Sequence, residues 1–142
     1  MANTFLFVDD DEDDTELFTE ALAEIDATAI LYTADNGVEA LKRIQEKGCP
    51  SIIFLDVNMP RMNGLECLAE LKKNPVCRNV PVIKYSTSAN KHDTHTAGQL
   101  GALCFVTKPN EFGLLKQILT IVTTHLATGD IETLCKDLDP FA

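Results

Sequence analysis

Ser51-Ile52-Ile53-Phe54-Leu55-Asp56 is the most apolar run in the chain, and it closes on an acid. A strand with one wet face alternates apolar and polar residues. This run does not alternate, so both of its faces are expected to be covered, as in the middle of a parallel sheet. Working outward, four other short runs share the pattern: Thr4–Val8, which stops at Asp9-Asp10-Asp11, then Ala29–Thr33, Val80–Ser86 and Leu103–Thr107. Helical spacing fills the gaps between them. Leu17, Phe18, Ala21, Leu22 and Ile25 mark one helix face; Val38, Leu41 and Ile44 mark a second, after the turn and cap residues Asp35-Asn36-Gly37. Leu65, Leu68, Ala69 and Leu71 give a third helix, closed near Asn74-Pro75, and Thr94 to Leu100 a weaker fourth. Phe112, Leu115, Ile118, Leu119 and Val122 line the last. The alternation predicts an α/β, (βα)5 doubly wound fold, a five-stranded parallel sheet with helices on both faces. In such sheets the working site lies beyond the carboxyl ends of the strands.

Composition narrows the function. The chain has 142 residues, the size of one domain, and a net charge of −10. An acidic surface repels phosphate backbones, so nucleic acid is not expected as a partner. No apolar run approaches the roughly 18 residues of a membrane span. The segment Met1-Ala2-Asn3-Thr4 lacks the basic residue of a secretory signal, so a cytoplasmic location is expected. Cys49, Cys67, Cys77, Cys104 and Cys135 form no Cys-x-x-Cys pair and are expected to be reduced, small apolar residues.

The residues that follow each apolar run converge on one rim. Asp9-Asp10-Asp11 follow the first strand, Asp56 the third, Ser86-Thr87-Ser88 close the fourth, and Lys108-Pro109 follow the fifth. Crowded carboxylates repel unless a hard cation sits among them, and oxygen ligands suit Mg2+. A carboxylate nucleophile, Mg2+ and an ammonium are the parts that phosphoryl transfer to an aspartate requires. A slipped register, with Asp10 and Asp11 as the acidic pair, is the alternative to Asp9 and Asp10. The strand's end at Val8 favours the latter.

The runs Phe7-Val8-Asp9-Asp10, Leu55-Asp56-Val57-Asn58-Met59-Pro60 with Asn63-Gly64, Tyr85-Ser86-Thr87-Ser88 and Val106-Thr107-Lys108-Pro109 together resemble response-regulator receiver domains of the single-domain, CheY-like kind. The resemblance covers residues 4 to about 126 and implies the strand order 2-1-3-4-5. It implies that Asp56 accepts a phosphoryl group from a histidine kinase or histidine phosphotransfer protein. Asp10 and Asp56 would hold Mg2+ with the backbone carbonyl of Asn58, and Asp9 would act through a bound water. Lys108 would pair with Asp56 and then with its phosphate. Ser86 takes the switch hydroxyl position and Phe105 the switch aromatic position. Asn58 and Ser88 flank the phosphate.

Other readings of these residues are weaker. Asp9-x-Asp11-x-Asp13 with Glu20 superficially resembles a calcium loop, but Asp14 stands where that loop needs Gly. Glu12, Asp13 and Asp14 are expected simply to start a helix at its positive end. His92 and His95 are expected on the fourth helix's surface. His125 needs no role beyond a cation near a helix C-terminus. An aspartyl-phosphate phosphohydrolase would carry a second acid two residues past its nucleophile, where Asn58 stands. A flavodoxin-like cofactor binder would need a phosphate loop after the first strand, and a phosphorylation-independent scaffold would not need the acids. The expectation is therefore a stand-alone switch, not an enzyme, with residues 1–128 as the receiver domain and 129–142 as a short acidic extension. In that extension Asp130 can cap a helix of one or two turns whose Ile131, Leu134, Cys135 and Leu138 share a side. Whether this side folds back or meets a partner is open, so the chain is a monomer or a homodimer.

Overall fold

The computed structural model describes residues 3–57, 64–87 and 91–142, the side chains of 91–94 aside. Five strands, β1 (Thr4–Val8), β2 (Ile30–Ala34), β3 (Ile52–Leu55), β4 (Val82–Ser86) and β5 (Cys104–Thr107), form one sheet in the order β2-β1-β3-β4-β5. Every pairing is parallel: Phe5 lies beside Leu31 and Ile52, Ile53 beside Val82, and Ile83 beside Cys104. The helices are α1 (Glu12–Ile25), α2 (Gly37–Lys47), α3 (Gly64–Lys73), α4 (Lys91–Leu100), α5 (Phe112–Thr128) and α6 (Leu134–Leu138), followed by a 3-10 turn at Asp139–Phe141.

Side-chain alternation along the strands divides the core into two layers. Phe5, Phe7, Phe54, Ile83, Tyr85 and Val106 face α1 and α5. Leu6, Val8, Ile53, Leu55 and Val82 face α2, α3 and α4. All four β3 residues are at most 1% exposed, which is why that run carries no alternation. Aromatic rings lock the first layer: Phe7 and Phe18 stack at 4.2 Å, and Phe18 meets Phe54 edge-on at 5.0 Å. Caps fix two helix starts. Asp11 accepts from the Asp13 and Asp14 backbone N–H groups at 2.9 and 3.2 Å, and Asn36 from that of Glu39 at 3.0 Å.

The strands begin or end within two residues of the expected limits, whereas α4 starts earlier, at Lys91. The tail folds back onto this same chain. Leu134 is fully buried and Leu138 is 1% exposed, both in the α1–α5 layer, and their burial contributes roughly 1.5–3 kcal/mol apiece. Thr133, not Asp130, stands at the N-cap of α6; Asp130 instead accepts the Thr133 hydroxyl at 2.7 Å. His125 has more to do than expected, because it is buried between the Asp130 carbonyl at 2.6 Å and the Asp137 carboxylate at 2.7 Å. The expectation of reduced cysteines is also corrected. Cys49 is bonded to Cys77 and Cys104 to Cys135, leaving Cys67 as the free thiol. The parallel topology sets the amino ends of β3, β4 and β5 side by side, so cysteines 28 and 31 residues apart meet without any local motif.

Candidate functional site

Backbone hydrogen bonds tie the carboxyl ends of the strands together. The Asp9 N–H donates to the Ala34 carbonyl at 3.0 Å, the Asp56 N–H to Val8 at 2.9 Å, and the Lys108 N–H to Ser86 at 2.9 Å. The residue following each apolar run is therefore held beside its neighbours, although the chain segments are distant in sequence. Asp9 is 1% exposed and Asp56 5%, while Asp10 points to solvent. One carboxylate oxygen from each of Asp9, Asp10 and Asp56 lies within 4.8 Å of the others. Asp11 is outside this group: its side chain caps α1, which separates it from the slipped-register alternative.

Lys108 brings a cation to the rim, with its side chain 8% exposed. Its ammonium lies 2.7 Å from Asp9 Oδ2, 2.8 Å from Asp14 Oδ2 and 3.4 Å from Asp56 Oδ2. Burial would lower its pKa, but the hydrogen bond to Asp14 and the close Asp9 and Asp56 carboxylates outweigh burial and hold it above its ordinary value. Burial also pushes the Asp9 carboxyl up to about 6, against the opposing pull of Lys108. The two directions look contradictory for partners in one ion pair. They agree once the neighbours are considered, since several carboxylates crowd the Lys108 ammonium and the most buried of them, Asp9, is the costliest to ionise.

A further positive charge would lower that cost. Asp9 Oδ2 is fully buried and, among the described residues, receives no well-directed hydrogen bond. Asp9 Oδ1 already accepts from the Asp11 N–H at 3.0 Å. Hard carboxylate oxygens around an undersatisfied buried oxygen fit a hard divalent cation.

Ser86 closes β4 and is 3% exposed. Phe105, on β5 beside Lys84, is half-buried in the layer that packs on α4. Its ring lies where a β-carbon at Gly98 of α4 would meet it at 3.4 Å. Asn58, Met59-Pro60, Asn63, Ser88 and the side chain of His92 lie outside the described residues. His95 is exposed. Asp14 is the residue that sequence reasoning missed. The available signal is its position: it stands three residues past the Asp11 cap, so the first turn of α1 carries it back over the strand ends.

Comparison with known proteins agrees with this geometry. A family model described as response regulator receiver domain matches residues 5–120. Response regulator Rcp1 from Synechocystis is 32% identical over 130 residues, covering 87% of this chain and 88% of that protein. The structure of the phosphorylated cyanobacterial phytochrome response regulator RcpA superposes with a TM-score of 0.81 at 30% identity, covering 91% of this chain and 96% of the other. The Mn2+-bound form of Rcp1 gives 0.75 at 29% identity, with coverage of 86% and 92%. Some other relatives are longer, and the chain spans only 26–49% of their length. With five parallel strands in the order 2-1-3-4-5, an acidic rim at their carboxyl ends and a family match over most of its length, the chain belongs to the response regulator receiver domain family.

Proposed function

We propose that this receiver accepts a phosphoryl group on Asp56 from a histidine kinase or histidine phosphotransfer protein, and signals to a protein partner by changing shape. The observation that carries this reading is the setting of Asp56: a 5%-exposed carboxylate at the end of β3, within 4.8 Å of two other acids and 3.4 Å from an ammonium. An isolated loop acid has no use for such surroundings. An Asp56 oxygen forms the new bond to phosphorus as the bond from phosphorus to the donor histidine nitrogen breaks, and the departing imidazole takes a proton from solvent.

Asp9, Asp10 and Asp56 would hold a divalent cation, which we take to be Mg2+, with Asn58 as a further ligand through its carbonyl. When bound, it would offset negative charge on the phosphoryl oxygens. Lys108 supplies a donor that reaches Asp56 and its phosphate. The phosphoryl group carries about −1.5 to −2 charge in place of the single charge of the Asp56 carboxylate. Ser86 closes β4, the next strand in the sheet, so its hydroxyl is the donor we assign to the new oxygens. Movement there frees space for the Phe105 ring, and the surface of α4, β5 and α5 changes with it. The chain's only chemistry is its own phosphorylation and hydrolysis. We place it in the cytoplasm with its kinase.

Incubation with a small phosphodonor and Mg2+ is expected to add one phosphoryl group, read as a mass increment, to the wild type and none to Asp56→Asn. Equal labelling of both would refute the assignment.

A further inference from the structure

Lys108 carries three N–H donors, and three carboxylates surround them: Asp9 at 2.7 Å, Asp14 at 2.8 Å and Asp56 at 3.4 Å. Asp9 and Asp56 also belong to the acidic cluster that could take a divalent cation; Asp14 does not. An ammonium and a divalent cation at the same carboxylate repel each other. A lysine held by Asp9 and Asp56 alone would therefore share every one of its partners with the entering cation. Asp14 offers it another anchor. The Asp14 backbone N–H is fixed by the Asp11 side chain at 3.2 Å. Its carboxylate, 28% exposed, borders a narrow cleft of about 50 Å³ shared with Tyr85 and Pro109. That leaves it partly shielded from screening ions.

We propose that Asp14 is a positioning residue for phosphoryl acceptance: its carboxylate retains the Lys108 ammonium beside Asp56 while the cation takes Asp9, so cation and lysine do not compete for one oxygen. This rests on the reading of Asp56 and its acidic neighbours given above.

The test is Mn2+ affinity, measured by electron paramagnetic resonance on the full unphosphorylated chain. The set is wild type, Asp14→Asn, Asp14→Glu, Lys108→Ala and the Asp14→Asn/Lys108→Ala double variant. Asp14→Asn is expected to weaken Mn2+ binding about 3- to 10-fold in the wild-type background and less than about 2-fold once Lys108 is removed. Asp14→Glu, which keeps the charge, should stay near wild type. Equal weakening in both backgrounds would mean a general field effect and would overturn the proposal, as would no weakening at all. If the wild type fails to bind Mn2+, or if Asp56→Asn binds it as tightly, the reading of the whole cluster falls and this inference with it. That pattern is distinct from normal binding with an Asp14 effect indifferent to Lys108.

Discussion

No side chain fits at position 64. A β-carbon on Gly64 would overlap the Asp56 carbonyl oxygen and the Val57 α-carbon, and both are backbone atoms that cannot swing aside. The Gly64 N–H donates to the Val57 carbonyl at 3.2 Å, so the start of α3 is seated directly against the segment that presents Asp56. Gly64→Ala is expected to lower stability by about 1–3 kcal/mol, because the overlap can be relieved only by moving backbone. It should also slow phosphodonor labelling, since the segment that moves carries the acceptor. Urea unfolding and labelling of the same preparation measure both, and an unchanged midpoint with unchanged labelling would contradict the packing described. At this scale Asp9, Asp10, Asp56 and Lys108 are legible in sequence for one reason: each follows an apolar run, and parallel strands bring such ends together. Asp14 is not legible in that way. In sequence it is one more acid in a string of them, and only the cap at Asp11 separates the residue that starts the helix from the one that reaches Lys108.

Between elements, the joint of α5 with α6 adds an imidazole clasp to the apolar contacts of Leu134 and Leu138 and the Cys104–Cys135 bond. A carbonyl and a carboxylate are both acceptors, so His125 must donate from Nδ1 to Asp130 and from Nε2 to Asp137, which requires the doubly protonated ring. The Asp130 carbonyl and the Asp137 side chain accordingly hold its pKa above the ordinary value. Below about pH 6.5 the imidazole is protonated in both folded and unfolded chains, and the clasp contributes in full. As pH rises, the unfolded chain loses the proton first. The contribution shrinks and is gone once pH passes the raised folded value. Amides of α6 should therefore exchange hydrogen, relative to those of the sheet, faster at pH 9 than at pH 6, after correction for the intrinsic rate. His125→Ala should abolish that difference and lower stability at pH 6 by about 1–3 kcal/mol, the worth of hydrogen bonds to a charged group. A tail equally protected at both pH values would disprove the clasp. The apolar spacing of Leu134 and Leu138 predicts the small helix. What it covers is a tertiary fact, set by the open edge of the α1–α5 layer and by an imidazole whose partners lie 5 and 12 residues away.

The molecule as a whole separates its chemistry from its covalent staples. Cys49 precedes β3, Cys77 precedes β4 and Cys104 opens β5, so both disulfides lie at the amino ends of the strands. The acidic rim and Lys108 lie at the carboxyl ends. Four strand residues at about 3.3 Å each keep the two apart by roughly 13 Å. The sheet and its helices can be read from the apolar runs because burial on both faces leaves a mark on every strand residue. The cysteine pairs cannot, because their partners are chosen by which strands start side by side. Denatured without reductant, the chain should show one reactive thiol, Cys67, and after reduction all five. In the folded chain that thiol should stay silent, since burial pushes it up to about 12. Each disulfide closes a loop of about 30 residues in the unfolded chain, so opening either is expected to cost about 2–4 kcal/mol. Because the staples sit at the opposite end of the sheet from Asp56, reduction should lower the urea midpoint and leave the rate of phosphodonor labelling unchanged under native conditions. A labelling rate that fell with reductant, at a denaturant concentration where the chain is still folded, would show that the two ends of the sheet are coupled and that the amino-end staples act on the rim.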